Sequence, residues 1–378
     1  MWRRSQAKAY ATFLLLVIAL ALPIGTARAD DERVTTAEVE ESCKRAAKYL
    51  LSQQFPNGCF QELRRMDRQN KDKTPRQGVT MSALAIMGLA SIGHQPTDPT
   101  DEGKAMRKAL EFVLDERHQF TDKDSPHDGY FGKADQSRMY GHGIITLMLA
   151  EMLGMGVDEE MDYKLHDSCQ RAIDLILRSQ KVKRSRKDQG GWRYEPGQAD
   201  SDLSVTVWQL MALRAAKNAG LEVPTEAIES GVQYVRNCYY SRYKDGKPID
   251  ENRGFGYEAG GAHKFSTTAE GLLSMQVCGQ YEAPEVIGAA NYLLENGPRW
   301  GDEWFFYGTY YYAQGMAQRG GEFASTSKQK TAVEMLKRQA RDGSWKSGEG
   351  QGAGTIYSTS LALLSLSIHH NYLPIYQR

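Results

Sequence analysis

Six copies of one helix-forming unit run through this sequence, and the repeat constrains the fold more than any other feature. Each copy joins a small residue to polar and apolar residues, as in Ala172-Ile173-Asp174-Leu175-Ile176. The copies are spaced 63, 63, 59, 58 and 43 residues apart and begin at Ala46, Ala109, Ala172, Gly231, Ala289 and Ala332. A repeat of this length indicates stacked units, because one unit cannot bury its own apolar face.

A second pattern lies between these copies and predicts a second helix in every unit. Its first position, the anchor, is usually threonine, and apolar residues follow mostly four and seven positions later, on the same helical face. The sequence therefore predicts twelve helices in six pairs. The anchors are Thr80, His142, Thr206, Thr268, Thr309 and Thr359.

The first 29 residues have the features of a secretory signal peptide. Basic residues, from Arg3 to Lys8, precede an apolar stretch at 13–22, and Ala27-Arg28-Ala29 is a small-residue cleavage pattern. We expect cleavage after Ala29 and a secreted or periplasmic protein. The mature chain, 30–378, is predicted to form a single domain, and none of its segments is apolar enough to cross a bilayer.

The charge of the mature chain gives no reason to expect nucleic acid or anionic lipid as a partner. The whole chain has a net charge of 0, and the leader removes four basic residues and no acidic ones, which leaves about −4.

The five cysteines favour neither a complete set of disulfides nor a metal site. Their odd number leaves at least one thiol without a partner in the same chain, and no two form a Cys-x-x-Cys pair. We expect them to be small buried hydrophobic residues. The sequence predicts no bound metal and no other cofactor.

An aromatic turn joins the two helices of each pair. Gln339 is followed by Gly343 and Trp345, and Gln180 is followed, after an inserted basic loop, by Gly191-Trp192. Glycine supplies the positive φ needed after a helix end, and the glutamine amide can satisfy unpaired backbone groups there. The turn is therefore predicted to tie each unit to its neighbour and to have no catalytic role.

These Gln-x3-Gly-x-Trp elements resemble the repeats of squalene and oxidosqualene cyclases and of the β-subunits of protein prenyltransferases. The resemblance covers about 38–375 and implies an all-α fold, an α/α toroid with six inner helices around a centre and six outer helices. The thioester domain of complement-like proteins shares the toroid. Its thioester joins Cys to Gln three residues on, whereas Cys278 and Gln280 are two apart, so the sequence excludes that thioester.

The acidic motif of the cyclases is incomplete here. The family protonates its substrate with an Asp-x-Asp-Asp-Thr motif, and the matching segment is Asp200-Ser201-Asp202-Leu203-Ser204. Asp200 and Asp202 are the catalytic candidates that the resemblance implies. The alternative is that Ser201 or Asp202 caps the following helix. The zinc-binding Asp-x-Cys pair of the prenyltransferases is absent at every predicted inner-helix start.

Comparison of the repeats separates a uniform face of each inner helix from a variable one. The position two residues after the anchor lies about 200° from it and differs between copies, so it is the better candidate to line the centre. An aromatic, hydroxyl-bearing lining suits an apolar or amphipathic ligand, unless these side chains fill the centre. The candidate ligand-binding residues are Tyr140, His142, Trp208, Glu270, Tyr310, Tyr311 and Tyr357.

The preferred functional hypothesis is an exported toroid that binds an extended apolar, isoprenoid-like small molecule, with catalysis left open. Three alternatives remain. The first is a divergent isoprenoid-processing enzyme that uses Asp200 and Asp202. The second is a carbohydrate-active toroid, a lyase or glycosidase that uses Glu270 or the tyrosines. The third is a scaffold that contacts another exported protein.

Overall fold

The structure, a computed structural model, describes residues 33–62, 77–346, 354–370 and 372–377. The chain divides into two units, Met1–Arg33 and Val34–Arg378, and the architecture given below is that of the second. The predicted leader and its cleavage site lie outside the described residues and stay predictions.

Twelve α-helices form from the described residues, in six consecutive pairs as the repeat predicts. The first helices of the pairs are α1 (Thr36–Ser52), α3 (Asp101–Val113), α5 (Glu159–Gln180), α7 (Thr225–Asn237), α9 (Pro284–Glu295) and α11 (Gly321–Leu336). The second helices are α2 (Gly78–Ser91), α4 (Arg138–Glu151), α6 (Leu203–Asn218), α8 (Phe265–Val277), α10 (Phe305–Arg319) and α12 (Gly354–Leu366).

Two minor elements accompany the helix pairs. The strands β1 (Tyr243–Lys244) and β2 (Lys247–Pro248) form an antiparallel hairpin after α7. A 3-10 turn, Pro374–Tyr376, lies close to the C-terminus.

The six second helices form a closed inner ring. Each contacts the next in order from α2 to α12, and α12 contacts α2. The six first helices pack outside this ring; α5, for example, contacts both α4 and α6. The fold is therefore the predicted all-α toroid.

The two layers differ in sequence because they differ in surroundings. The outer helix α1 buries one face and exposes the other, which carries charged side chains. The inner helix α8 buries every residue except Phe265, as expected for a helix enclosed on all sides.

Glutamine side chains tie four of the units to the next unit in the ring. Gln180 Nε2 donates to the carbonyl oxygens of Gly190 in its own turn and Ala227 in α7, both at 2.9 Å. Gln339 Nε2 donates to the carbonyls of Gly343 at 3.0 Å and of Ser42 in α1 at 2.8 Å. The last turn is therefore bonded to the first outer helix. The same pair of bonds is made by Gln54 and Gln119.

A turn glycine permits this close contact between units. Gly190 has φ +93°, and a Cβ there would lie 2.1 Å from the Ser230 carbonyl oxygen of α7. No other residue type can bring the turn this close to the neighbouring helix.

The anchor side chains fasten the inner helices to the aromatic turns. The hydroxyl oxygens of Thr206, Thr268 and Thr359 accept the backbone N–H of the turn aromatic at 3.0, 3.2 and 3.2 Å. In the first pair, Ser82 accepts the Phe60 N–H at 2.9 Å. The residue equivalent to the other anchors is therefore Ser82, two positions after the predicted Thr80.

All five cysteines are free thiols; four are buried and Cys278 is partly buried. Burial raises the pKa of Cys43 and of Cys59 to about 12, so these thiols are protonated and unreactive at neutral pH. Among the described helices, none combines the length and the apolar character needed to span a membrane.

Candidate functional site

A polar cluster forms where the first turns of four inner helices meet. We call it the mouth cluster. It contains one residue from each helix and three residues from the segments before α6 and α8. Its members are Tyr140, Ser204, Glu270 and Tyr307 on the helices, and Arg193, Asp202 and Tyr257 on those segments.

Asp202 directly precedes α6 and is fully buried. Its Oδ1 accepts the Val205 N–H at 2.8 Å, which makes it the N-cap of the helix. Burial raises the pKa of Asp202 to about 6, while the Val205 N–H and the Arg193 guanidinium oppose the rise. The bond to Val205 favours the capping role that the sequence left open.

Arg193 gathers three acidic side chains at the edge of the cluster. Its Nη1 lies 3.1 Å from Asp202 Oδ2 and 3.0 Å from Glu258 Oε1, and its Nε lies 3.3 Å from Asp200 Oδ2. The guanidinium also lies 5.5 Å from the centre of the Tyr257 ring. Asp200 is more than half exposed. Asp200 and Asp202 therefore share one cation, although only Asp202 is enclosed.

Glu270 has the most unusual environment in the mouth cluster. It is 1% exposed, and its Oε2 has no hydrogen-bond partner among the described residues. Against the larger effect of burial, the nearby Ser204 side chain lowers the pKa of the Glu270 carboxyl and of the Tyr140 hydroxyl. Burial raises the pKa of Glu270 well above its usual range, and the nearby Asp202 carboxylate adds to the rise. Burial therefore favours the protonated form of Glu270, in which the carboxyl can donate a hydrogen bond.

Beside Glu270, aromatic side chains of α6 and α10 pack against each other. Trp208 of α6 stacks on Tyr310 of α10, with ring centres 5.8 Å apart and planes 9° apart, and meets Tyr311 edge-on at 5.7 Å. The Tyr307 hydroxyl donates to the Ser204 carbonyl at 3.4 Å. Trp208, Tyr310 and Tyr311 are almost completely buried. This packing joins two inner helices that are not neighbours in the ring.

The C-terminal segment packs against the aromatic residues of α10. The Tyr376 hydroxyl is hydrogen-bonded to that of Tyr310. Glu151, at the end of α4, accepts the Ile375 N–H at 3.2 Å. The 3-10 turn is therefore anchored to two inner helices.

Two of the predicted ligand-binding residues lie outside both the mouth cluster and the aromatic packing of Trp208, Tyr310 and Tyr311. His142 is fully buried, where its Nδ1 accepts the Phe131 N–H at 3.4 Å and its Nε2 contacts the Ala172 carbonyl oxygen at 3.1 Å. Burial lowers the pKa of His142 to about 3. His142 thus takes the structural place of the anchor threonines. Tyr357 is partly buried in the first turn of α12.

Sequence comparison of the repeats identified Tyr140, Trp208, Glu270 and Tyr311, and the structure brings these four together. It missed Arg193, Ser204 and Tyr257. Arg193 directly follows Gly191-Trp192, and that position after an aromatic turn was the available signal. In the part of the chain that the structure describes, no three His, Cys, Asp or Glu side chains gather as metal ligands do.

One family description matches part of the sequence. The A-macroglobulin TED domain matches residues 27–128. Within that range neither Cys43 nor Cys59 is followed by Gln three residues on, so the thioester pair is absent there. No curated protein is significantly similar to the chain.

Solved structures resemble the chain over most of its length. The α-1,6-mannanase GH76A of Salegentibacter sp. HEL1_6 has a TM-score of 0.58 at 10% identity, covering 88% of this chain and 99% of that chain. The type II terpene cyclase MstE from Scytonema has a TM-score of 0.52 at 14% identity, with 90% and 100% covered. A possible GH105 member from Salmonella enterica has a TM-score of 0.51 at 13% identity, with 90% and 95% covered.

These similarities establish the fold. The chain is an α/α toroid. At such identities the activity of a similar structure does not transfer with the fold.

Proposed function

We propose that the mature protein is an exported toroid that binds an amphipathic, isoprenoid-like ligand at the mouth cluster. The observation that carries the proposal is the environment of Glu270. A buried carboxyl with an unpartnered oxygen, whose protonated form is favoured by burial, lies beside aromatic rings and suits a hydroxyl or other polar group attached to an apolar body.

The aromatic packing beside Glu270 limits where such a ligand can lie. Because Trp208 stacks on Tyr310 across the ring, a ligand held at the mouth fits better than one threaded along the axis. Its polar part would meet Ser204 and Glu270, and its apolar part would lie against Tyr140 and Tyr307. The isoprenoid-like character rests on the resemblance of the turns to cyclase repeats and on the fold shared with MstE, solved with geranylgeranyl dihydroxybenzoate.

Catalysis is not required by this proposal. The bonds of Asp202 to Val205 N–H and to Arg193 account for its burial, and Asp200 is exposed. An isoprenoid-processing enzyme that uses this pair would have to release Asp202 from its helix.

A second candidate function is carbohydrate binding or cleavage. Tyr194 and Tyr257 are only partly buried and their hydroxyls are bonded at 2.6 Å, so their rings could stack on sugars next to acidic side chains. The GH76A mannanase, solved with α-1,6-mannotriose, shares the fold.

Calorimetric titration of the mature protein with two probes distinguishes these candidates. We expect saturable binding of geranylgeranyl dihydroxybenzoate and no binding of α-1,6-mannotriose. The reverse result would establish the carbohydrate candidate. Binding of neither would contradict both and favour a protein-interaction scaffold.

Export has its own test. Mass spectrometry of the protein purified from its own host should find Asp30 as the first residue. An intact Met1 would contradict the proposed leader.

A further inference from the structure

A cavity lies at the C-terminal end of α10, away from the mouth cluster. It has a volume of about 290 Å³ and lies between the end of α10, the start of α11 and the C-terminal segment. Such a volume is close to the lower end of small-molecule sites. Its polar and charged lining residues are Gln314, Gln318, Lys328, His369 and Tyr376.

Gln318 and His369 both have enclosed polar atoms without a hydrogen-bond partner among the described residues, Oε1 of Gln318 and the two ring nitrogens of His369. Gln318 is 8% exposed, and its Oε1 makes no hydrogen bond among the described residues. A half-turn of the terminal amide would present its NH₂ group to the cavity instead. An unpaired buried amide costs free energy unless a ligand or water satisfies it.

The start of α11 adds positive potential to the same cavity. Gly320 is the N-cap and Ala324 lies in the first turns; both line the cavity. No side chain caps this 16-residue helix, so the positive end of its dipole acts on the cavity, although the N–H groups of Gly320 and Ala324 are already bonded to backbone carbonyls. Glu322 in the first turn is exposed and weakens this potential only in part.

A lysine and a histidine side chain complete the site. Lys328 is exposed at its edge, and His369 stacks against His370 with ring centres 3.9 Å apart. Burial lowers the pKa of His369, and His370 and Lys328 lower it further, while the Leu366 carbonyl and Glu40 raise it. A bound anion would favour the charged form of His369.

We propose that this cavity binds a small molecule through an oxyanion, a carboxylate or a phosphate, held by Lys328, His369 and Gln318 beside the positive end of α11. Tyr376 also lines the cavity, and its hydroxyl is bonded to Tyr310 of the central aromatic packing. The site is independent of the ligand proposed at the mouth.

NMR of the histidine rings tests this site in the mature protein, with His369→Asn used to identify the His369 signal. Inorganic phosphate and acetate are titrated in separate experiments. We expect a saturable shift of the His369 signal and a higher pKa for His369 with at least one anion. The anion that binds with the higher affinity is the preferred oxyanion.

The variant Lys328→Met should weaken that binding about tenfold. Lys48→Met, which changes an exposed lysine of α1, should leave it unchanged. Absence of a saturable His369 shift with both anions, or an equal affinity in Lys328→Met, would overturn the proposal.

Discussion

Two aspartates of one short segment differ sharply at the residue scale. Asp202 is fully buried, caps α6 and pairs with Arg193, whereas Asp200 is more than half exposed. We expect Asp202→Ala to lower the free energy of unfolding by about 2–4 kcal/mol, because it removes a cap and leaves Arg193 without its buried partner. Asp200→Ala should change it by less than about 0.5 kcal/mol. Urea denaturation measures both.

Asp202→Asn is the matched control, since its amide oxygen can still accept the Val205 N–H. It should recover part of the loss. Equal stabilities for wild-type protein and Asp202→Ala would show that the cap is energetically irrelevant and would return Asp202 to the catalytic candidates.

The sequence could identify single inner-facing residues but not their partners. Glu270 was recognisable because it is an acid two positions after an anchor, where the repeats predict a residue that lines the centre. Its proximity to Ser204, and the pairing of Arg193 with Glu258, depend on segments from different units. No spacing within one helix contains that information.

The glycine turns belong to the scale of elements, where they bring neighbouring units together. A Cβ at Gly190 would lie 2.1 Å from Ser230 O, whereas Gly220 has a similar φ, +90°, with nothing near the same position. We expect Gly190→Ala to cost about 3 kcal/mol or more, because the backbone must move. Gly220→Ala should cost about 1–2 kcal/mol from conformational strain alone. Thermal or urea unfolding gives the difference, and equal losses would contradict the role of the Gly190 contact.

The C-terminal segment is held by a titratable residue, which makes its contribution depend on pH. Burial raises the pKa of Glu151 from 4.5 to about 8, although the Ile375 N–H opposes the rise. Between these values the folded protein keeps a proton that the unfolded chain has released. The free energy of unfolding therefore falls as pH rises through this window.

Glu151→Gln removes this titration. Relative to the wild type, the variant should gain stability from pH 5 to pH 8, by an amount on the order of a few kcal/mol. Urea denaturation at several pH values measures it. Parallel pH profiles for the two proteins would show that Glu151 is already ionised in the folded state.

The element boundaries were partly predictable. The anchor pattern located the inner helices in all six units, but it placed the first anchor at Thr80 instead of Ser82. Thr80 is bonded to Asp135 instead, from the segment before the next inner helix. Two hydroxyl residues this close cannot be told apart until the chain is folded.

At the scale of the whole molecule, the repeat was sufficient to predict the ring. Glutamine, glycine and aromatic residues recur because most units make the same joint, and the bond from Gln339 to Ser42 shows that the last joint closes on the first. The aromatic packing between α6 and α10 was less predictable. Whether large rings line a cavity or stack across it depends on which helices face each other, and here α6 and α10 do.

The central claim is that a ligand is held at the mouth by the neutral carboxyl of Glu270. The most direct test compares the affinity of the wild type for geranylgeranyl dihydroxybenzoate with those of Glu270→Gln and Glu270→Leu, after circular dichroism has shown that both variants are folded. Gln keeps a neutral hydrogen-bond donor and should bind within about threefold of the wild type. Leu removes it and should bind about tenfold or more weakly. Equal affinity in Glu270→Leu would contradict the claim.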